Sequence, residues 1–327
     1  MKKALLLLIL AIPLFANSQK LIAYRDTVKD AYNFWVYVPE CYDSVNQTTP
    51  TVLFLHGRSL CGNNLAMVRR YGPLDALSYG RKINAIVVAP QNPGGSWDPS
   101  KILKIIDWTT ETYKTDTNRL YVLGMSLGGF GTINFVGTYP EKVAAAIALC
   151  GGGTLKNYCG LNNVPLWIMH GTADKAVSIK QSDAVVNSMA ECGDTSLLIY
   201  NRLKGVDHGR LSRVFYIHES YDWLFSHSLN DSVKTVNKDI IINTAVMENA
   251  YKDLHKSTDN FKVIDDKPDP AYVYKPIDPN APYHVIKKGE TLSHVARMYH
   301  TSVSKLCQIN HLTETSILQI GQKIYVK

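Results

Sequence analysis

The sequence predicts an α/β protein, with a mostly parallel sheet covered by helices on both faces and a small β-α-α-β unit at the C-terminus. Two observations predict it. Between residues 33 and 226, short apolar runs rich in β-branched and aromatic residues alternate with segments of helical period, the pattern of strands buried on both faces. After a stretch with five prolines at residues 265–282, a shorter unit follows with its own apolar pattern. A chain of 327 residues accommodates one large domain plus something small.

The chain opens MKKALLLLILAIPLFANSQ. Lys2 and Lys3 form a basic start, Ala4 to Phe15 an apolar run, and Ala16 and Ser18 stand at small-residue positions before an expected cut after Ser18. The run is too short to span a bilayer, so residues 1–18 read as a secretory signal peptide. The mature chain is expected to have no transmembrane segment and to be exported, periplasmic or extracellular and wall-associated. The first cysteine is Cys41, which argues against a lipid-modified N-terminus. Six cysteines in an exported chain permit disulfides, and Cys150 and Cys159, close together across a Gly-rich loop, are the expected pair. No C-x-x-C spacing indicates zinc or redox chemistry, and neither metal nor cofactor is expected. The net charge of +7 includes both leader lysines, and no basic run with interleaved aromatics points to nucleic acid.

Strands are predicted at residues 33–38, 51–56, 84–89, 120–123, 143–149, 164–169 and 196–200. Helices are predicted at 101–113, 128–136, 179–189 and 211–225. In such a sheet ligands bind at the carboxyl ends of the strands, so the residues that follow each strand carry the chemistry. After the strand at 120–123, Gly124, Ser126 and Gly128 fill a G-x-S-x-G pattern. The chain reverses sharply there, and only tiny neighbours fit beside a serine held at the tip. After the strand at 51–56, Gly57 lets the chain fold back, so that the Arg58 N–H, paired with that of Leu127, forms an oxyanion hole. After the strand at 84–89, PQNPGGSW places Trp97 at the expected rim, where an aromatic covers an acyl or sugar group. Asp174 lies beyond the strand at 164–169, and His208 beyond that at 196–200. Three strand ends thus carry Ser, Asp and His in that order.

Residues 33–226 resemble an α/β-hydrolase of the esterase group that includes phospholipase/carboxylesterase-like, feruloyl-esterase-like and "predicted peptidase" proteins. The segments that carry the resemblance are LFLHG with GNN, APQNPGGSW, DTNRLYVLGMSLGGFGT, PLWIMHGTAD and GVDHG. It implies Ser126 as nucleophile, His208 as base and Asp174 as the acid that orients the imidazole. Relatives often carry a small residue and a glycine where this chain has Arg58 and Ser59, a departure that narrows the acyl pocket or suits an anionic substrate.

Residues 19–230 are therefore expected to form the catalytic domain and residues 231–282 a linker, Pro-rich at its end, with a modest amphipathic stretch around Ile240 to Leu254 that reads either as a helix packing on the catalytic domain or as a loosely ordered spacer. Residues 283–327 read as strand, two helices and strand, with Thr291 capping the first helix and Cys307 buried. This unit is similar to a LysM module in KKGETLSHVA, Gln308-Ile309-Asn310 and QIGQKIYV. The resemblance implies binding of an N-acetylglucosamine-containing glycan such as peptidoglycan or chitin. The expected groove lies between Gly289, Glu290, Thr291 and Leu292 on one side and Ile317, Leu318, Gln319 and Ile320 on the other. Together these readings predict an exported serine esterase acting on acylated wall or polysaccharide material. A peptidase acting on wall peptides, or a non-catalytic wall-binding protein, are the alternatives.

Overall fold

The computed structural model describes residues 19–43, 48–240, 242–257, 260–266, 282–287, 290–310, 312, 318 and 320–326. The signal peptide expected over residues 1–18 and the Pro-rich residues 267–281 lie outside them. Nine strands form the main sheet. They are β1 (Lys20–Tyr24), β2 (Phe34–Val38), β3 (Thr49–Leu55), β4 (Ile86–Pro90), β5 (Thr115–Met125), β6 (Ala145–Leu149), β7 (Leu166–Gly171), β8 (Leu198–Leu203) and β9 (Lys262–Ile264). Their order is β8-β7-β6-β5-β3-β4-β2-β1-β9. The strands β3 to β8 pair in parallel, whereas β2 runs antiparallel to both β4 and β1.

Alternation along each strand divides the core into two layers. Val52, Phe54, Tyr121 and Leu123 face one layer, and Leu53, Leu55, Leu120 and Val122 face the other. The first layer is closed by α1 (Pro73–Ser78), α5 (His218–Phe225) and α6 (Thr244–Glu248) through Leu74, Trp223 and Met247. The second is closed by α2 (Pro99–Thr112), α3 (Leu127–Thr138) and α4 (Lys180–Glu191) through Ile105, Phe135 and Met189. Helix α2 begins where the sequence dictates: the Asp98 carboxylate accepts from Ser100 N and Lys101 N, and Pro99 occupies the first helical position.

Two expectations are corrected. The linker expected over residues 231–282 begins later, because Ile242, Met247, Ala250, Leu254 and Phe261 are buried in the first layer. In addition, β9 pairs in parallel with β1, Lys20 opposite Lys262. The Lys256 ammonium also reaches the Asp75 carboxylate at 3.0 Å, to which Tyr216 donates at 2.6 Å. The disulfide joins Cys159 to Cys192, not Cys150 to Cys159. Cys159 starts a short helical turn, and Cys192 caps α4. Cys150 follows β6 with φ +39° and is fully buried, where it faces the strand-end site instead of the surface.

The C-terminal unit pairs β10 (Tyr283–Val285) antiparallel with β11 (Lys323–Tyr325) and adds α7 (Leu292–Met298) and α8 (Val303–Asn310). Its core is Ile286, Leu292, Val295, Leu306, Cys307 and Ile324. Thr291 caps α7 as expected, accepting from His294 N at 3.2 Å. Asn310 clips α8 to β11, donating to Tyr325 O at 2.7 Å and accepting from Tyr325 N at 2.6 Å.

A chain ending at residue 230 exposes the first layer. Burial of each large apolar side chain is worth about 1.5–3 kcal/mol, so losing four of them rivals the whole net stability of a domain, about 5–15 kcal/mol. Such a chain is expected to aggregate or to melt without cooperativity, whereas one ending after Asp266 keeps a sharp transition. Thermal melts of the two truncations, followed by circular dichroism, check this.

Candidate active site

Ser126 separates β5 from α3 and stands at φ 58°, ψ −121°, a conformation that is strained for a residue with a side chain. Close packing on three sides enforces it. A Cβ on Gly124 would lie 2.3 Å from Gly128 O, and one on Gly128 only 1.8 Å from Leu55 O. The start of α3 is thereby pressed against the end of β3. Ser126 N donates to Leu149 O at 2.9 Å, which ties the turn to β6.

The neighbouring strand ends bring up the partners. Asp174 follows β7 with its carboxylate wholly buried. Its Oδ1 accepts from Ala176 N at 2.8 Å and Val177 N at 2.9 Å, and its Oδ2 accepts from His208 Nδ1 at 2.7 Å. Burial pushes this carboxyl up, but hydrogen bonds from His170 and His208 outweigh it and hold the group well below the usual carboxylate range. A buried anion is tolerable only with such partners. With Nδ1–H given to Asp174, Nε2 becomes the basic nitrogen of a neutral imidazole. The loop that carries His208 docks on a bare backbone, since a Cβ on Gly171 would meet Val206 O at 2.1 Å.

Arg58 is the first residue of a short helical turn that follows β3, with an exposed side chain, and Leu127 is the first residue of α3. The loop between β3 and that turn is fixed from below. His56 Nδ1 donates to Gly57 O at 2.7 Å, and its Nε2 accepts from Asn92 N at 3.1 Å. Tyr71 Oη accepts from Gly57 N at 2.6 Å. Trp97 belongs to the same support. It is 3% exposed, donates through its indole N–H to His56 O at 3.2 Å, and would clash with any side chain at Gly131. The expectation that Trp97 covers substrate at the rim is therefore corrected: a tryptophan in a Gly/Pro-rich loop can turn inward when a carbonyl awaits its N–H. His56, Tyr71, Asn92 and His170 were not foreseen. The signal available for the histidines was that each stands beside a glycine at the carboxyl end of a strand, in LFLHG and IMHG.

Cys150 sits between the partners. Burial raises its thiol, while His208 and the Ser126 backbone N–H pull it down. Among the described residues, Cys150, Asp174 and His208 form the cluster whose donor atoms lie within 4.8 Å of one another. A cation there would have to break the Asp174–His208 hydrogen bond, so the donor set fits a hydrogen-bonded pair better than a resident metal.

In the C-terminal unit, Gly289, Ile317 and Gln319 lie outside the described residues. Glu290 accepts from His284 Nε2 at 2.7 Å and Lys287 N at 2.8 Å. Thr291 is engaged as the cap, Leu292 is core, Leu318 is partly buried, and Ile320 is 71% exposed.

The nine-stranded unit, with a serine at an elbow and a histidine–aspartate pair at adjoining strand ends, has the α/β-hydrolase fold. A solved thermostable esterase is similar to it at 26% identity and a TM-score of 0.54, covering 65% of this chain and 64% of that one. Residues 284–327 match the LysM domain family, and the C-terminal unit is a LysM domain. Among curated relatives, acetylxylan esterase A of Emericella nidulans is 28% identical over 134 residues, 36% of this chain and 41% of that protein. Probable acetylxylan esterase A of Neosartorya fischeri is 33% identical over 98 residues, 25% and 27% of the two chains. The chain thus spans less than half the length of the curated relatives it matches.

Gly128→Ala is expected to cost more than about 3 kcal/mol, in the range of severe overpacking, because the obstructing atom is backbone and cannot rotate away. A thermal melt should show Tm lowered by ten degrees or more. A melt within two degrees of the parent would show that the elbow is not held by this approach.

Proposed function

We propose that this protein is an exported serine esterase that removes acyl groups from cell-wall or polysaccharide material while its LysM domain holds it to an N-acetylglucosamine-containing glycan. The hydrogen bond from His208 Nδ1 to Asp174 Oδ2 at 2.7 Å, beside a serine on a strained elbow, carries this reading. A serine hydroxyl is a weak nucleophile at neutral pH, so its proton must pass to His208 Nε2 as the Oγ attacks an ester carbonyl. Asp174 keeps Nδ1 protonated and stabilises the imidazolium that forms. The N–H groups of Arg58 and Leu127 take the negative charge of the tetrahedral oxygen, worth on the order of 3 kcal/mol per donor. Collapse of that intermediate expels the alcohol, which takes the proton from His208, and water then releases the acyl group by the same steps in reverse order of partners. The names of the curated relatives, acetylxylan esterases, favour a short acyl group on a polysaccharide hydroxyl. The exposed Arg58 side chain at the mouth suits substrates that carry a negative charge nearby. Among the described residues no helix is long and apolar enough to cross a membrane.

Ser126→Ala is expected to lower kcat on p-nitrophenyl acetate at least about a thousandfold with an unchanged melt. Parent kcat/KM should fall as pH drops through the range in which His208 takes up a proton, because a protonated His208 cannot accept the serine proton. Full turnover by Ser126→Ala, or a flat profile between about pH 5 and pH 8, contradicts the assignment. Release of amines from wall peptides without release of acetate would move the reading to a peptidase.

A chain ending after Asp266 should hydrolyse the soluble ester normally but fail to pellet with insoluble peptidoglycan or chitin, and it should lose the rate gain that local concentration gives on an insoluble acylated substrate. If it pellets as the full chain does, LysM is not the anchor.

A further inference from the structure

Asp174 has a second histidine beside it. His170 lies in β7 and is fully buried. Its Nε2 is 3.0 Å from Val177 O and 3.5 Å from Asp174 Oδ2. Its Nδ1 is 2.8 Å from the Ser182 hydroxyl on α4. That hydroxyl is also 2.8 Å from Gly151 O.

Counting protons over these contacts fixes the state of the ring. The carbonyls of Gly151 and Val177 can only accept. The link from Ser182 to Gly151 O therefore consumes the single hydroxyl proton of Ser182. The Ser182 oxygen has none left for His170, so the contact at Nδ1 requires a proton on Nδ1. The contact of Nε2 with Val177 O, and with Asp174 beyond it, requires a proton on Nε2. A neutral imidazole carries one proton and would leave two acceptors facing each other inside a dry site, which is costly. We propose that His170 is a buried imidazolium paired with Asp174, a positioning residue whose charge sets how strongly Asp174 stabilises protonated His208.

The proposal rests on the triad reading given above. Asp174 is then shared by two histidines, its Oδ2 between His208 Nδ1 and His170 Nε2. A fixed positive charge beside the aspartate opposes a second one on His208, so His208 remains neutral, and able to act as base, to lower pH than an aspartate alone would permit. The other titratable groups nearby are Cys150, just beyond β6, whose thiol lies against Asp174 and His208 and is raised by burial, and, next to Ser182 on α4, Asp183. The Asp183 carboxylate is instead bonded to Tyr200 at 2.6 Å and paired with Arg202. Asp174 is thus the anion that meets the His170 cation.

Two readouts test this. Nitrogen-15 spectra of histidine-labelled protein report the protonation of each ring without any need for activity, and the His170 signals are assigned by their shift in Ser182→Ala. The expected result is two ring N–H groups on His170 at neutral pH. One protonated and one bare nitrogen overturns the proposal, whether or not the protein is an esterase. In His170→Gln, which keeps donor and acceptor atoms but no charge, the acid limb of kcat/KM is expected to move up by about one pH unit. Turnover below the limb then falls about tenfold, with plateau kcat reduced far less. An unmoved limb in a folded variant overturns the coupling to His208. Should His170→Gln not fold, Ser182→Ala serves for the same profile. It removes the Nδ1 acceptor and is expected to shift the limb in the same direction by less. Loss of all activity in Ser126→Ala bears on the triad reading alone and leaves the spectroscopic result standing.

Discussion

The close approach of α3 to the end of β3 governs the rest of the structure. No side-chain atom fits between Gly128 and Leu55 O, where a methyl carbon would stand 1.8 Å away. That approach holds Ser126, the residue between β5 and α3, in its strained φ of 58°. The sheet register does the remainder. Met125 stands opposite Leu149, and Leu149 opposite Met169, so Ser126, Cys150 and His170 each stand one residue beyond these partners. Asp174 and His208 then need only short loops to arrive. The chemistry is therefore a consequence of sheet geometry, with little demand on loop conformation.

Much of the sheet was legible in the sequence because buried parallel strands write themselves as β-branched apolar runs, and the candidate site residues were found by looking just beyond them: Ser126 directly after β5, Asp174 three residues after β7 and His208 five residues after β8. The strand expected at 120–123 lies within β5, and the strand at 164–169 and the helix at 179–189 overlap β7 and α4. What was not legible depends on partners distant in sequence. The strand β9 has three residues in a polar stretch and exists because β1 offers an open edge. The Cys159–Cys192 bridge spans 33 residues, and only the packing of α4 brings its ends together. Trp97 gives no local sign of whether it faces inward, since the answer lies in the His56 carbonyl.

His170 illustrates the same limit within the site. As a residue type at a strand end, it reads as packing. Its significance comes from Ser182, twelve residues on, and from the carbonyls of Gly151 and Val177, which together leave the ring no neutral arrangement that satisfies every contact. A buried carboxylate held between two histidine rings, with two backbone N–H groups on its other oxygen, is fixed in place and held ionised.

If the proposed function holds, the setting of Ser126 makes its hydroxyl nucleophilic. A fluorophosphonate reagent reports that property directly, since it phosphonylates a serine only when a base accepts the proton and an oxyanion site stabilises the intermediate. Intact-mass and peptide mapping of the treated protein should show a single adduct, on Ser126, that disappears when His208 is replaced by Ala. An unmodified protein, or an adduct on another serine, would contradict the account.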